Sequence, residues 1–179
     1  MVTKKMIMSI YLLLIILILI GRNSFAIEKI SAKKIQIRNE STQIKTNDQS
    51  GELTKIIQPY IVIGSTRTNL RICETDGGTP ELAEEFIYQK PQLKTPKIVI
   101  LCKWDDKHLG VGINASRYQI FVYELHNNKL IERRDIEEKF GINGEGDDGL
   151  FFNKPSVFKY RNKADIVKKL NTLKKIDVL

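Results

Sequence analysis

Apolar positions fall along this chain in three patterns: one long run near the N-terminus, short runs between turn formers, and a helical stripe at the end. The middle pattern comes first because it carries the fold. Tyr60-Ile61-Val62-Ile63 reads as a short strand, introduced by Pro59 and stopped by Gly64-Ser65. Residues 70–73 read as a second. Gly77-Gly78 breaks the chain before Thr79 and Pro80, which suit the N-cap and first position of a helix. Leu82, Phe86 and Ala83 would share one side of that helix, which should end before Pro91.

Residues 97–103 form the strongest strand pattern. Ile98-Val99-Ile100-Leu101 is consecutive rather than alternating, which predicts burial on both faces. Residues 118–125 read the same way, with Ile120 and Val122 on one face and Phe121, Tyr123 and Leu125 on the other. His126-Asn127-Asn128-Lys129 and Leu130-Ile131 then predict a hairpin, because Asn tolerates positive φ. A helical turn over 135–140, closed by Gly141, and a strand over 156–160 complete this part.

The last segment is the clearest helix. Asn162 can cap it, with Asp165 at the third position, and Ile166, Leu170 and Leu173 recur as one apolar stripe. These elements predict an α+β fold: a small antiparallel β-sheet packed against a C-terminal amphipathic helix, with one short middle helix.

The first pattern changes where this fold is placed. Lys4 and Lys5 precede a run of mostly Leu and Ile over residues 6–20, and Ser24-Phe25-Ala26 supplies the small residues of a cleavage site. Residues 1–26 therefore read as a signal peptide rather than a membrane span, which needs about 17–25 apolar residues. Residues 27–51 are polar and read as an arm or linker in which Ile35 and Ile37 could mark one edge strand. Residues 52–179 then form a single globular domain. The chain is expected to be exported to a periplasm or secreted, with no membrane span after cleavage.

Charge and cysteines narrow the classes. Removing Lys4, Lys5 and Arg22 from 29 basic residues leaves the remainder at +5 against 21 acids. Bases and acids alternate, so a solvated surface accounts for the charge and no nucleic-acid partner is expected. Cys73 and Cys102 both survive cleavage, and export makes a single disulfide between them the natural reading.

Two segments offer candidate chemistry. Trp104, Asp105, Asp106, Lys107 and His108 follow the central strand, and read as a hairpin loop with Trp104 as the leading contact residue for a partner. Glu145, Asp147 and Asp148 lie in a glycine-rich stretch over 143–149 that reads as an exposed acidic loop. Calcium fits that stretch poorly: an EF-hand register would put Asp148 where Gly is required and Lys154 where a bidentate Glu is required. No motif for nucleophilic catalysis, phosphate binding or a zinc site is present, and no cofactor is expected.

The residues therefore predict a non-enzymatic exported protein that binds a protein partner, with the profile of an inhibitor or immunity-type protein. Trp104, Asp105, Asp106, His108, Glu145, Asp147 and Asp148 would form the contact rim. A second reading is a small hydrolase or carbohydrate-active enzyme using Asp105, Asp106 or Glu145 as acid and base. A third is a surface-associating module in which Lys168, Lys169, Lys174 and Lys175 form a patch with Arg161 or Lys159.

Overall fold

The computed structural model describes residues 35–45, 53–74, 78–91, 93, 95–126 and 129–173. The expected signal peptide, Lys174 and Lys175 lie outside them. In chain order the elements are β1 (Ile35–Lys45), β2 (Leu53–Ile63), β3 (Thr66–Asn69), β4 (Pro80–Tyr88), β5 (Lys97–His108) and β6 (Ile113–His126). They continue with β7 (Lys129–Glu132), α1 (Arg134–Glu137), β8 (Glu145–Phe151), β9 (Lys154–Ser156) and α2 (Lys163–Thr172). The fold is α+β, mostly antiparallel sheet with a C-terminal helix. A small sheet has the order β1-β2-β3, and a larger one runs β4-β5-β6-β8-β9 with β7 also paired to β6.

The centre of the larger sheet follows from its doubly apolar strands. Residues 98–102 of β5 and 120–122 of β6 are almost wholly buried. One face carries Val99, Leu101, Ile120 and Val122, and it packs against Ile166 and Leu170 of α2. The other carries Ile98, Ile100, Cys102, Phe121 and Tyr123, and it packs against Ile35, Ile57 and Ile61 of the small sheet. Helix, large sheet and small sheet thus form three layers with an apolar core on either side of the middle one.

The α2 helix begins as its sequence predicts. The Asn162 side chain accepts from the Asp165 amide at 3.0 Å and donates to the Asp165 carboxylate at 2.8 Å. The hairpin predicted after the 118–125 strand also forms, with pairing that runs one residue further than expected, to His126 opposite Lys129.

Several elements differ from expectation. The helix predicted after Thr79 is strand β4. Leu82 and Phe86 sit four apart, which suits a helix face, but a bulge between Leu82 and Glu84 sends them to opposite faces of the sheet. Pairing with the buried edge of β5 outweighs the helical start signal, and Pro80 is tolerated because it opens an edge strand. Residues 70–73 are not a regular strand; only Ile57 and Cys73 bridge. Residues 104–108 are the end of β5, paired with 113–117, rather than a loop. The expected acidic loop is largely strand β8, because the free edge of β6 recruits it despite its weak strand formers. Gly146 fits there because the Phe158 ring lies 2.1 Å from where a Cβ would stand. The strand expected at 156–160 ends at Ser156. The edge strand marked by Ile35 and Ile37 runs on to Lys45.

The disulfide Cys73–Cys102 is formed, with both residues fully buried. Cys73 exchanges two backbone hydrogen bonds with Ile57 of β2, at 2.9 and 3.2 Å. The bridge therefore fastens the small-sheet layer to β5 of the large sheet.

The edge of β6 has a gap between its partners. It pairs with β8 over Asn114–Gln119 and with β7 from Tyr123 onward. In the gap, the Val122 carbonyl accepts from the Arg133 amide at 2.7 Å, and the Val122 amide donates to the buried Glu137 carboxylate at 2.8 Å. A side chain thus completes the sheet where no strand reaches. Burial pushes the Glu137 carboxyl up, although the Val122 bond and nearby Arg71 pull the other way. At the same end, Lys97 and Glu124 face each other across β5 and β6 at 2.9 Å, joined by Thr95 and by Arg133. Burial alone would raise the Glu124 carboxyl, but the bonds from Thr95, Lys97 and Arg133 outweigh it and hold it low.

Candidate functional site

The face of the large sheet toward the small sheet is covered only in part. Beyond the cover lies a groove of about 540 Å³. Its near wall is the segment carrying Arg71 and Glu74, its floor is Trp104 and Phe121, and its far side is Gln119 of β6 and Glu145 of β8. A neighbouring hollow of about 300 Å³, toward Arg134 and Asn143, shares Arg71 and Glu145 with it.

Strand register explains this lining. Trp104, Arg117 and Asp147 form one cross-strand row, and Cys102, Gln119 and Glu145 form the next, all on the groove side. The polar groups are held in pairs. Arg117 Nε lies 3.3 Å from Asp147, and Gln119 donates to Glu145 at 2.7 Å. Arg71 lies over the Phe121 ring at 4.2 Å and pairs with Glu132 at 3.0 Å, while its backbone N–H donates to the Tyr123 hydroxyl at 2.9 Å. Burial pushes the Tyr123 phenol up, so it stays a neutral hydroxyl.

Two further links fix the near wall. Cys73 is bonded to Cys102, and the Trp104 indole N–H donates to the Glu74 carbonyl. Trp104 is therefore buried and holds the wall, rather than standing out as an anchor.

The strand geometry separates the remaining residues expected to act together. Asp105 and Asp106 point to opposite faces of β5, as do Asp147 and Asp148 of β8. Asp105 lies away from the groove, bound by Ser116 at 2.6 Å and Lys103 at 3.1 Å; these bonds, Ser116 first, hold its carboxyl low. Asp148 pairs with Arg161 at 2.5 Å. Asp106 is buried, and exposed His108 approaches its Oδ1 at 3.1 Å, out of line for a hydrogen bond. The acid pair imagined for glycoside chemistry at 105 and 106 is thus split by the sheet. The acidic side chains at 147 and 148 form no single negative field.

Of the residues expected to meet a partner, Trp104 and Glu145 line the groove and Asp147 borders it. Arg71, Glu74, Arg117, Gln119 and Phe121 were missed. A signal existed for two of them: Arg117 and Gln119 alternate with Tyr118 and Ile120, marking a polar patch on the Phe121 face of an otherwise buried strand. Arg71 and Glu74 had none, because their position depends on the disulfide and a single bridge to β2.

Among the described residues, no three His, Cys, Asp or Glu side chains are grouped to hold a metal ion. No helix among them is long and apolar enough to cross a membrane. The chain matches no known family model, curated protein or solved structure.

Proposed function

We propose that this chain is an exported, non-enzymatic binding protein whose groove takes a segment of a protein partner, as an inhibitor or immunity-type protein would. The observation that carries this reading is the groove's composition. An aromatic floor lies between Arg71 and Glu74 on one wall and Gln119 and Glu145 on the other, and Arg71, Gln119 and Glu145 are already oriented by partners of their own. Such a surface offers apolar contact at the centre and directional hydrogen bonds at the rim, the usual anatomy of a protein-binding patch. Its polar groups need little reordering on binding, which favours affinity. Export is supported by the disulfide, which persists in oxidising compartments, together with the basic and apolar N-terminal pattern.

The test is affinity capture from the envelope and medium of the source cell with the wild-type chain and two groove variants, Gln119→Arg and Glu145→Arg. Recovery of one stoichiometric protein with the wild type, lost with either variant while the disulfide and melting temperature are kept, is the expected result. Equal recovery by all three chains would place binding elsewhere. Turnover of a glycan or ester substrate that Glu145→Gln abolishes would replace the binder with the enzyme reading.

A further inference from the structure

At the end of the sheet farthest from the Lys97–Glu124 pair, two turns lie side by side and expose apolar side chains. One is Leu109–Val111, joining β5 to β6, and the other is Phe152 and Asn153, joining β8 to β9. The Asn153 amide donates to the Gly112 carbonyl at 2.8 Å, and Leu150 sits opposite Asn114, so the two turns form one tip. Leu109 is 76% exposed, Val111 55%, Leu150 45% and Phe152 58%. Local chemistry does not require this. Phe152 has φ of 50°, in the left-handed region where a two-residue turn favours Asn or Gly and where a bulky residue is strained. The ring meets the Phe151 ring edge to face at 4.8 Å but lies outside both core clusters, and strained positions concentrate where a side chain has something to meet.

The surroundings indicate what it meets. Residues 107–114 and 149–159 contain no acid but carry Lys107, His108, Lys154 and Lys159. By register, Lys107 lies opposite Asn114 beside Leu150, and Lys154 lies opposite Phe151. Of the nearest carboxylates, Asp106 is buried and Asp148 is paired with Arg161. The arrangement is a small apolar tip flanked by cations, with no carboxylate in either turn. It suits a lipid surface, into which a few side chains can dip while cations meet anionic headgroups.

We propose that this tip docks the protein onto an anionic membrane surface, with Leu109, Val111, Leu150 and Phe152 entering the interface and Lys107 and Lys154 facing the lipid phosphates. The site is separate from the groove and does not depend on the groove's function.

The experiment uses the chain as purified after export, with phosphatidylglycerol–phosphatidylcholine vesicles and pure phosphatidylcholine vesicles in sedimentation assays. The wild type should bind the anionic vesicles, and Phe152→Asn should weaken that binding about ten-fold on the transfer cost of its ring. Because Asn suits the turn, the same variant should melt at a higher temperature. Lys107→Gln with Lys154→Gln should weaken binding about five-fold or more, and the binding should fall with added salt. In Phe152→Trp, the new indole emission should shift to the blue with anionic vesicles and be quenched by brominated lipid. Binding equal in wild type and Phe152→Asn, or no quenching of that indole, would overturn the proposal. So would a lower melting temperature for Phe152→Asn, which would make the ring structural. A monomer–dimer equilibrium abolished by Phe152→Asn would overturn it in favour of a second copy.

Discussion

The two faces of the large sheet are built from equally apolar strands but are closed by different means. On one side, α2 presents Ile166 and Leu170, both fully buried, and the Phe158 and Tyr160 rings fill the remaining space around Tyr118 and Phe140. That side is closed by packing, with Tyr88 of β4 donating to Asn171 of α2 at 2.9 Å. On the other, a three-stranded sheet covers the apolar end, one disulfide fastens it, and the rest is left as the groove. A partial cover needs a staple because it buries less surface of its own, and the uncovered part is where paired polar side chains can work.

This difference can be broken from either side. The largest effect should come from Ile166→Ala, which opens a cavity under α2 and should cost roughly 4 kcal/mol. Denaturant unfolding of that variant should remain a single transition, with both faces lost together. Removing the bridge with Cys73→Ser and Cys102→Ser should cost about 3 kcal/mol in the chain-entropy picture. It should also free the Arg71–Glu74 wall, so that partner binding falls more than stability does, as calorimetric titration and melting curves on the same sample would show.

Glu137 gives a finer cut, because it can be altered in charge or in reach. Glu137→Ala leaves the buried Val122 amide without an acceptor and should cost about 2 kcal/mol. Glu137→Gln keeps an acceptor and should change stability by less than about 1 kcal/mol at neutral pH. The pH dependence follows from burial raising its folded pKa above the ordinary 4.5. The folded state then holds this proton more tightly than the unfolded state does. The resulting stabilisation is full below 4.5 and is lost as pH rises through the raised value. Glu137→Gln should therefore gain on the wild type between pH 4 and neutrality. Glu124, whose folded value is lowered, acts in the opposite direction, and its contribution disappears as pH falls through that value. The smallest effect should be that of Gln119→Arg on melting. The residue lies at the groove rim, so a change in stability approaching that of Glu137→Ala would mean the rim is part of the core.

What could be read from the sequence was whatever a strand or helix decides by itself. The doubly buried runs of β5 and β6, the Asn162 cap and the cysteine pair all speak locally, and the structure contains them. The errors came where another element made the decision. Leu82 and Phe86 satisfy a helical spacing, and only the free edge of β5 turns them into a bulged strand. Glu145, Gly146, Asp147 and Asp148 are poor strand formers that β6 recruits. Trp104 follows an apolar run and reads as a loop residue, but β6 extends the strand through it and its indole N–H reaches Glu74 at the groove. The groove shares this origin: its wall and its floor lie 30 residues apart and meet only through tertiary structure.

The placement of the two sulfurs gives the molecule a clock. Cys73 belongs to a segment held against β2, while Cys102 sits inside β5, and in the folded protein their bond lies fully buried between the joined layers. Protection of the bond from added reductant during refolding should therefore lag the appearance of strand signal and keep time with the joining of the layers. A quenched trapping series would read the assembly order of this protein from a single chemical event.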